Sequence, residues 1–279
     1  GTANRGADNI ISCLYWDLER RGVFEGKVGH LVIIAGNCTG QNKNICMTKF
    51  LMWVVEAGFA TKVTLLFLVK GHTKNLCDRL FNQLKIGMRT RDIYDEKSLD
   101  AALTTSNAET ISVQRVDQST ANRWKKFKVK LDEFYMNPPS GGTEPNHVFE
   151  FGSDPRGPTW YHRRKYRDAP VIDHNLFPTR QSTRPSKDFT PQERASKIRA
   201  LYDDLAIMRP PGLSSIKQIE MYSVIRPKVP LQYHTFYEHF KPTEAAILQN
   251  KERKKAKRKR TSEKNAAGDI SDDEEYESS

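Results

Sequence analysis

Apolar positions in the first ninety residues alternate between two periods. Ile10, Ile11, Leu14 and Leu18 recur at helical spacing, which predicts an amphipathic helix over residues 8–20 with Asp8 as its N-cap. Gly26 and Gly29 mark a turn. Residues 30–35 form an unbroken apolar run, read as a buried strand. Ile45, Phe50, Trp53, Val54 and Ala57 return to helical spacing over 43–57, and Gly58 stands where a helix-ending glycine belongs. A second buried strand is predicted at 62–69. A helix over 75–88 follows, carried by Leu76, Leu80, Phe81 and Leu84. Strand, helix, strand, helix with short links predicts a parallel βαβ unit, so the fold class is α/β.

Beyond residue 90 the pattern is weaker. Residues 96–104 read as a short helix, and 110–116, 146–151 and 158–163 as strands. Residues 124–135, basic and aromatic, fit either helix or loop, and 136–145 and 152–158 are Pro/Gly-rich turns. An α/β domain is therefore expected over 1–170, followed by a linker over 171–189. A helical region over 190–250 opens at the capping box Thr190-Pro191-Gln192-Glu193. It continues through helices at 190–208, 214–225 and 231–240, broken at Pro210-Pro211-Gly212. Residues 251–260 read KERKKAKRKR and 271–277 read SDDEEYE. Blocks of one sign do not fold alone, so 251–279 is expected to be a disordered basic-then-acidic tail.

Charge changes the picture most. The 279 residues carry a formal net charge of +11. Residues 251–279 hold nine basic and eight acidic side chains, so about +10 belongs to the rest of the chain. That balance favours anionic partners, nucleic acid first. Cys13, Cys38, Cys46 and Cys77 form no CxxC pair, which argues against a zinc site and makes reduced thiols the default. The longest apolar run, residues 63–69, is too short to span a bilayer. The chain opens on Gly1 and leads at once into a helix, and is expected to be the C-terminal part of a longer protein.

Both apolar strands end in polar clusters, where open α/β sheets place their ligands. The first is Gly36-Asn37-Cys38-Thr39-Gly40-Gln41-Asn42-Lys43-Asn44. It precedes a helix N-terminus and reads either as a phosphate cradle built of backbone N–H groups or as a polar turn with a cap. It lacks the P-loop pattern GxxxxGK[ST]. The second is Gly71-His72-Thr73-Lys74, followed by Asp78. His72 and Lys74 suit either phosphate contact or an exposed loop. Cys38 and Cys77 read as small buried hydrophobes rather than nucleophiles.

These residues resemble a known pattern. Asn37-Cys38-x-Gly40-Gln41-Asn42-Lys43-Asn44 with Gly71-His72-Thr73-Lys74 and Asp78 is similar to an uncharacterised eukaryotic family, a domain of unknown function associated with mobile elements. That family is thought to carry a transposase-type ribonuclease H-like domain. Arg5 to Ser12 and Pro211 to Tyr237 resemble its lead-in helix and its C-terminal segment. The resemblance implies a partial ribonuclease H-like sheet whose carboxylates hold a pair of Mg²⁺ ions. Here Gly36 stands where the family has an acidic residue, and Asp78 alone remains of three expected ligands. A single carboxylate cannot hold the pair, so no cofactor is expected of these residues; Mg²⁺ belongs to an active full-length form.

Residues 160–167 interleave Trp160, Tyr161 and Tyr166 with Arg163, Arg164, Lys165 and Arg167. Such a run serves base stacking with phosphate contact, or guards a sheet edge. Trp124 to Lys128 is a weaker instance. Lys254, Lys255, Lys257, Arg258, Lys259 and Arg260 read as a nuclear localisation signal or a nucleic-acid arm. Ser271 in an acidic run resembles a kinase site. The expected nucleic-acid contacts are Asn37, Gln41, Asn42, Lys43, His72, Lys74, Arg163, Arg164, Lys165 and Arg167, with Asp78 the candidate catalytic and metal residue. The expectation is a nuclear, mobile-element-derived DNA-binding protein with a degenerate catalytic centre. The alternatives are an active transposase or nuclease when full length, and a non-enzymatic nuclear interaction protein.

Overall fold

A computed structural model describes residues 6–26, 28–68, 76–106, 123–137, 145–153, 159–174, 176–177, 189–209 and 212–268. The chain divides into two compact units. The first comprises residues 1–82 and 114–211, the second 83–113 and 212–279.

The first unit is built on a five-stranded sheet whose spatial order follows the chain. Strands β1 (Val28–Ala35) and β2 (Ala60–Phe67) are parallel. Strands β3 (Val148–Ser153), β4 (Thr159–Arg164) and β5 (Ile172–His174) add as an antiparallel meander. Helix α1 (Ala7–Arg20) precedes β1, and helix α2 (Ile45–Glu56) makes the crossover between β1 and β2. Helix α2 is buried from Cys46 to Val55. A helix apolar on every side belongs in a core, and α2 lies across β2, β3 and β4, with α1 and α5 (Phe127–Phe134) on its far side. Asn44 caps it by accepting from Met47 N at 3.0 Å. Gly58, at φ 79°, ends it with Gly58 N→Val55 O at 3.0 Å and Phe59 N→Val54 O at 3.1 Å, a Schellman closure.

Two expectations for this unit change. Asp8 does not cap α1, whose N-cap is Gly6; its Oδ1 accepts from Lys128 N at 2.8 Å and so caps α5. The linker expected over 171–189 contains β5, and Leu176 is fully buried. Helix α6 (Pro191–Arg199) and the turn after it also join this unit, because Ile198, Leu201 and Leu205 fill its core. The apolar residues at 198, 201 and 205 need a partner, and α2 supplies one through Trp53.

The sheet's other face is open among the described residues. It carries Val32 at 51% and Ile34 at 58% exposure on the edge strand β1. A ladder of polar contacts crosses its middle. Lys62 Nζ lies 2.8 Å from Glu150, Arg164 pairs with the same carboxylate, and His162 Nε2 lies 2.9 Å from Asp173. The ring of Trp160 occupies the space a Cβ on Gly152 would need.

Helix α3 (Leu76–Arg89) contains the division between the units. The second unit holds α4 (Glu96–Ser106), α7 (Ser215–Ile219), α8 (His234–Glu238) and α9 (Glu244–Gly268). The helix expected over 214–225 widens into a π turn at Glu220–Ile225, and Pro227 and Pro230 reduce the next stretch to short 3₁₀ turns. Tyr237 Oη donates to Tyr94 O at 2.6 Å and so ties α8 to the start of α4. Helix α9 starts at Thr243, whose hydroxyl accepts from Ala246 N at 3.3 Å. It runs on to Gly268, where a disordered tail from 251 was expected. Lys, Arg, Ala and Glu are good helix formers, and the first Gly or Pro after Pro242 is Gly268. The strand expected at 110–116 and the acidic end at 269–279 lie outside the described residues.

Candidate nucleic-acid interface

Ala35, Phe67, His147 and Arg164 stand in a row across four strands. Ala35 pairs with Phe67, Phe67 N donates to His147 O at 2.8 Å, and His147 N donates to Arg164 O at 3.0 Å. Neighbouring strands lie about 4.8 Å apart, so the row spans about 14 Å. The loop 36–44 leaves it at one side and residues 165–167 at the other. Two polar segments more than a hundred positions apart thus share one end of the sheet, the end at which β1 and β2 both terminate. His72 and Lys74 lie outside the described residues.

Three of the loop's amides turn inward onto one carbonyl. Cys38 O accepts from Gln41 N, Asn42 N and Lys43 N at 3.3, 2.8 and 3.0 Å, and Asn42 Nδ2 donates to Gly36 O at 3.2 Å. These bonds match the polar-turn reading of the segment, with Asn44 as the cap of α2. Lys43 is 2% exposed, with Nζ 5.3 Å from the centroid of the Phe67 ring, a cation–π contact beneath the loop. Asn37 is exposed and Gln41 half-buried. Beside the loop a pocket of about 440 Å³ brings Thr39, Gly40, Asn44 and Cys46 together with Lys128 of α5. Burial, and then the nearby Asp8 and Asp132 carboxylates, push the Cys46 thiol up to about 12. Cys38 and Cys77 are exposed, not the buried hydrophobes expected.

The basic run also divides. Tyr161 and Arg163 point to the α2 side of the sheet, and Arg163 is 5% exposed, out of reach of a duplex. Arg164 is held by Glu150. Burial raises the Glu150 carboxyl, but its hydrogen bonds and charge pairing with Lys62 and Arg164 outweigh that and hold it below the usual range. Arg164 Nη1 also donates to Arg167 O at 2.9 Å, fixing the turn. Lys165, Tyr166 and Arg167 are exposed. Arg163 lies within β4, where a period of two places it inside with Tyr161, whereas Lys165 falls past the strand's end at Arg164 and reaches solvent. His147 was not expected at this end; its Nδ1 lies 3.0 Å from Phe67 O. Nothing in the sequence near Asn146-His147 marks it.

Asp78 lies exposed in the first turn of α3, and Gly36, the residue after β1, has no side chain to offer. Among the described residues no three His, Cys, Asp or Glu side chains converge as a metal site would require. The described residues do not fit the metal pair that the ribonuclease H-like resemblance implies.

Residues 4–168 match the model of a family described as a domain of unknown function, DUF7869. The chain belongs to that family. No curated protein and no solved structure matches it. The DUF7869 segment contains β1 to β4 and the whole row of strand ends. It stops just past Arg167, before β5 and α6.

Proposed function

We propose that this chain is a DNA-binding protein derived from a mobile element, a ribonuclease H-like domain whose catalytic centre has decayed. The observation that carries this reading is the shared sheet end, where exposed Asn37 and half-buried Gln41 stand on one side and exposed Lys165, Tyr166 and Arg167 on the other. Amides and cations bind phosphate, and an exposed tyrosine beside them gives a base or sugar a surface to pack on. The parallel β1–α2–β2 unit, with its polar cluster after β1, supports the ribonuclease H-like assignment, and Gly36 in place of a carboxylate supports the loss of chemistry. The basic residues from Lys254 to Arg260 support a nuclear location.

The test is binding of the full chain to a 20-base-pair duplex over a salt series. A Lys165→Gln/Arg167→Gln variant should flatten the log–log salt slope by about 2 units, since each phosphate contact contributes about 0.9. An unchanged slope overturns the sheet-end interface. Cleavage of plasmid DNA with Mg²⁺ that disappears in Asp78→Ala overturns the decayed centre. Loss of all salt-dependent binding would leave the interaction-protein reading, which the exposed Val32 and Ile34 on edge strand β1 favour.

A further inference from the structure

Helix α9 carries a charge pattern that the sheet end does not explain. It packs against α7, and a groove of about 570 Å³ is lined there by Ala246, Gln249, Asn250, Glu252, Arg253 and Ala256 together with residues of α7. At about 100° per residue, Lys251, Lys254, Lys255, Arg258 and Lys259 fall on the opposite side, within an arc of about 140°. All five are exposed. They repeat at i, i+3, i+4, i+7 and i+8, so like charges stand at i, i+4 along one face, an arrangement that weakens an isolated helix. Nearby anions relieve it.

We propose that this face of α9 is a separate binding element for double-stranded nucleic acid, gripping the phosphate backbone. The stripe is about 12 Å long. A duplex presents one negative charge per about 1.7 Å of axis, so the stripe faces about seven charges, twice what a single strand offers. A helix about 10–12 Å across fits a major groove and has phosphates on both walls. Single-strand binders stack bases on aromatic rings, and residues 249–262 contain no aromatic. Membrane-surface helices bury an apolar face, and Ala256 is the single apolar residue in that stretch. Charge complementarity therefore selects duplex phosphate over a single strand or a bilayer. The element stands apart from the sheet-end reading, and the two fail separately.

The experiment uses the full chain. One variant changes Lys251, Lys254, Lys255, Arg258 and Lys259 to Gln; a second changes Arg253 and Arg260, on the other side of the helix, to Gln. Gln keeps helix propensity, and far-UV circular dichroism checks that α9 is retained. Binding to a 20-base-pair duplex should lose about 4.5 units of salt slope in the first variant, at about 0.9 for each of five contacts. The second variant should lose less slope per charge removed. Equal loss per charge in the two variants overturns an oriented face. Equal or tighter binding to a 20-nucleotide single strand overturns the duplex. Stripe-dependent capture by phosphatidylserine vesicles at physiological salt, without duplex binding, assigns α9 to membranes and overturns the proposal. The Lys165→Gln/Arg167→Gln chain, with its own slope change, reports on the sheet end alone.

Discussion

The indole nitrogen of Trp53 donates a hydrogen bond to the carbonyl oxygen of Ile198 at 2.7 Å, and both side chains are buried. It joins α2, inside the DUF7869 segment, to α6, beyond it. Trp53 also lies in a cluster with Tyr15, Phe24, Phe50, Phe59 and Phe127. Trp53→Phe should cost about 1–3 kcal/mol, because the Ile198 carbonyl loses its partner in a buried place. Trp53→Ala should cost about 3–5 kcal/mol. A chain ending at residue 170 should lose cooperative unfolding in urea, since Ile198, Leu201 and Leu205 go with it. Equal midpoints for the full and shortened chains would show that α6 is not part of this core.

Lys49 is buried and paired with Asp132, which also accepts from Lys128 at 3.1 Å. Burial raises the Asp132 carboxyl, but the hydrogen bonds and charges of Lys49 and Lys128 outweigh it, so its pKa lies below the ordinary 3.8. The folded carboxyl then binds its proton less readily than the unfolded one. Its stabilisation is complete above about pH 4 and is lost as pH falls through the folded value. Lys49→Met should cost less than the about 3–5 kcal/mol of stripping a fully buried pair, because Lys128 remains. Its melting temperature should fall less steeply between pH 4 and pH 2 than that of the unaltered chain. Parallel curves would show that Lys49 does not set the Asp132 proton affinity.

Arg163 and Arg167 lie four positions apart and should behave oppositely. Arg163→Glu puts an acid into a place where a guanidinium is buried, so the melting temperature should drop by several degrees. Arg167→Glu should leave it within about a degree, since exposed sites away from such features change stability by about 0.5 kcal/mol or less. Thermal scans of the two variants decide it, and equal effects would refute the burial of Arg163 within β4 and the exposure of Arg167 beyond its end.

The thiols should separate by reactivity. Cys38 and Cys77 are exposed, and Cys46, its thiol pushed up to about 12, is buried. Iodoacetamide at pH 8 should label Cys38 and Cys77 within minutes and Cys46 only once urea is added. Mass spectrometry of tryptic peptides reads the order. Early labelling of Cys46 would contradict its burial in α2.

The apolar pattern made α1, β1, α2, β2 and α3 legible within a few residues, because α1 and α3 repeat apolar side chains at helical spacing while β1, β2 and α2 are dense apolar runs bounded by polar turns. It could not assign partners. Asp8 has the right chemistry for a cap, but which helix it caps depends on where α5 lies. Residues 171–189 read as a linker and 190–208 as part of a separate helical region, and only the packing against the first unit's core shows that Leu176, Ile198, Leu201 and Leu205 are buried in it.

The candidate interface shows the same division. The sequence by itself determined which residues are cationic, that polar clusters follow two apolar strands, and that Gly36 brings no carboxylate. Tertiary structure alone decided that residues 36–44 and 165–167 share one end of the sheet, and that Lys43 and Arg163 lie beneath the surface while Lys165 and Arg167 reach solvent. Charge is a property of a side chain and can be counted along a chain. Exposure is a property of what packs against it, and here that is a strand register and a helix set by residues far away in sequence.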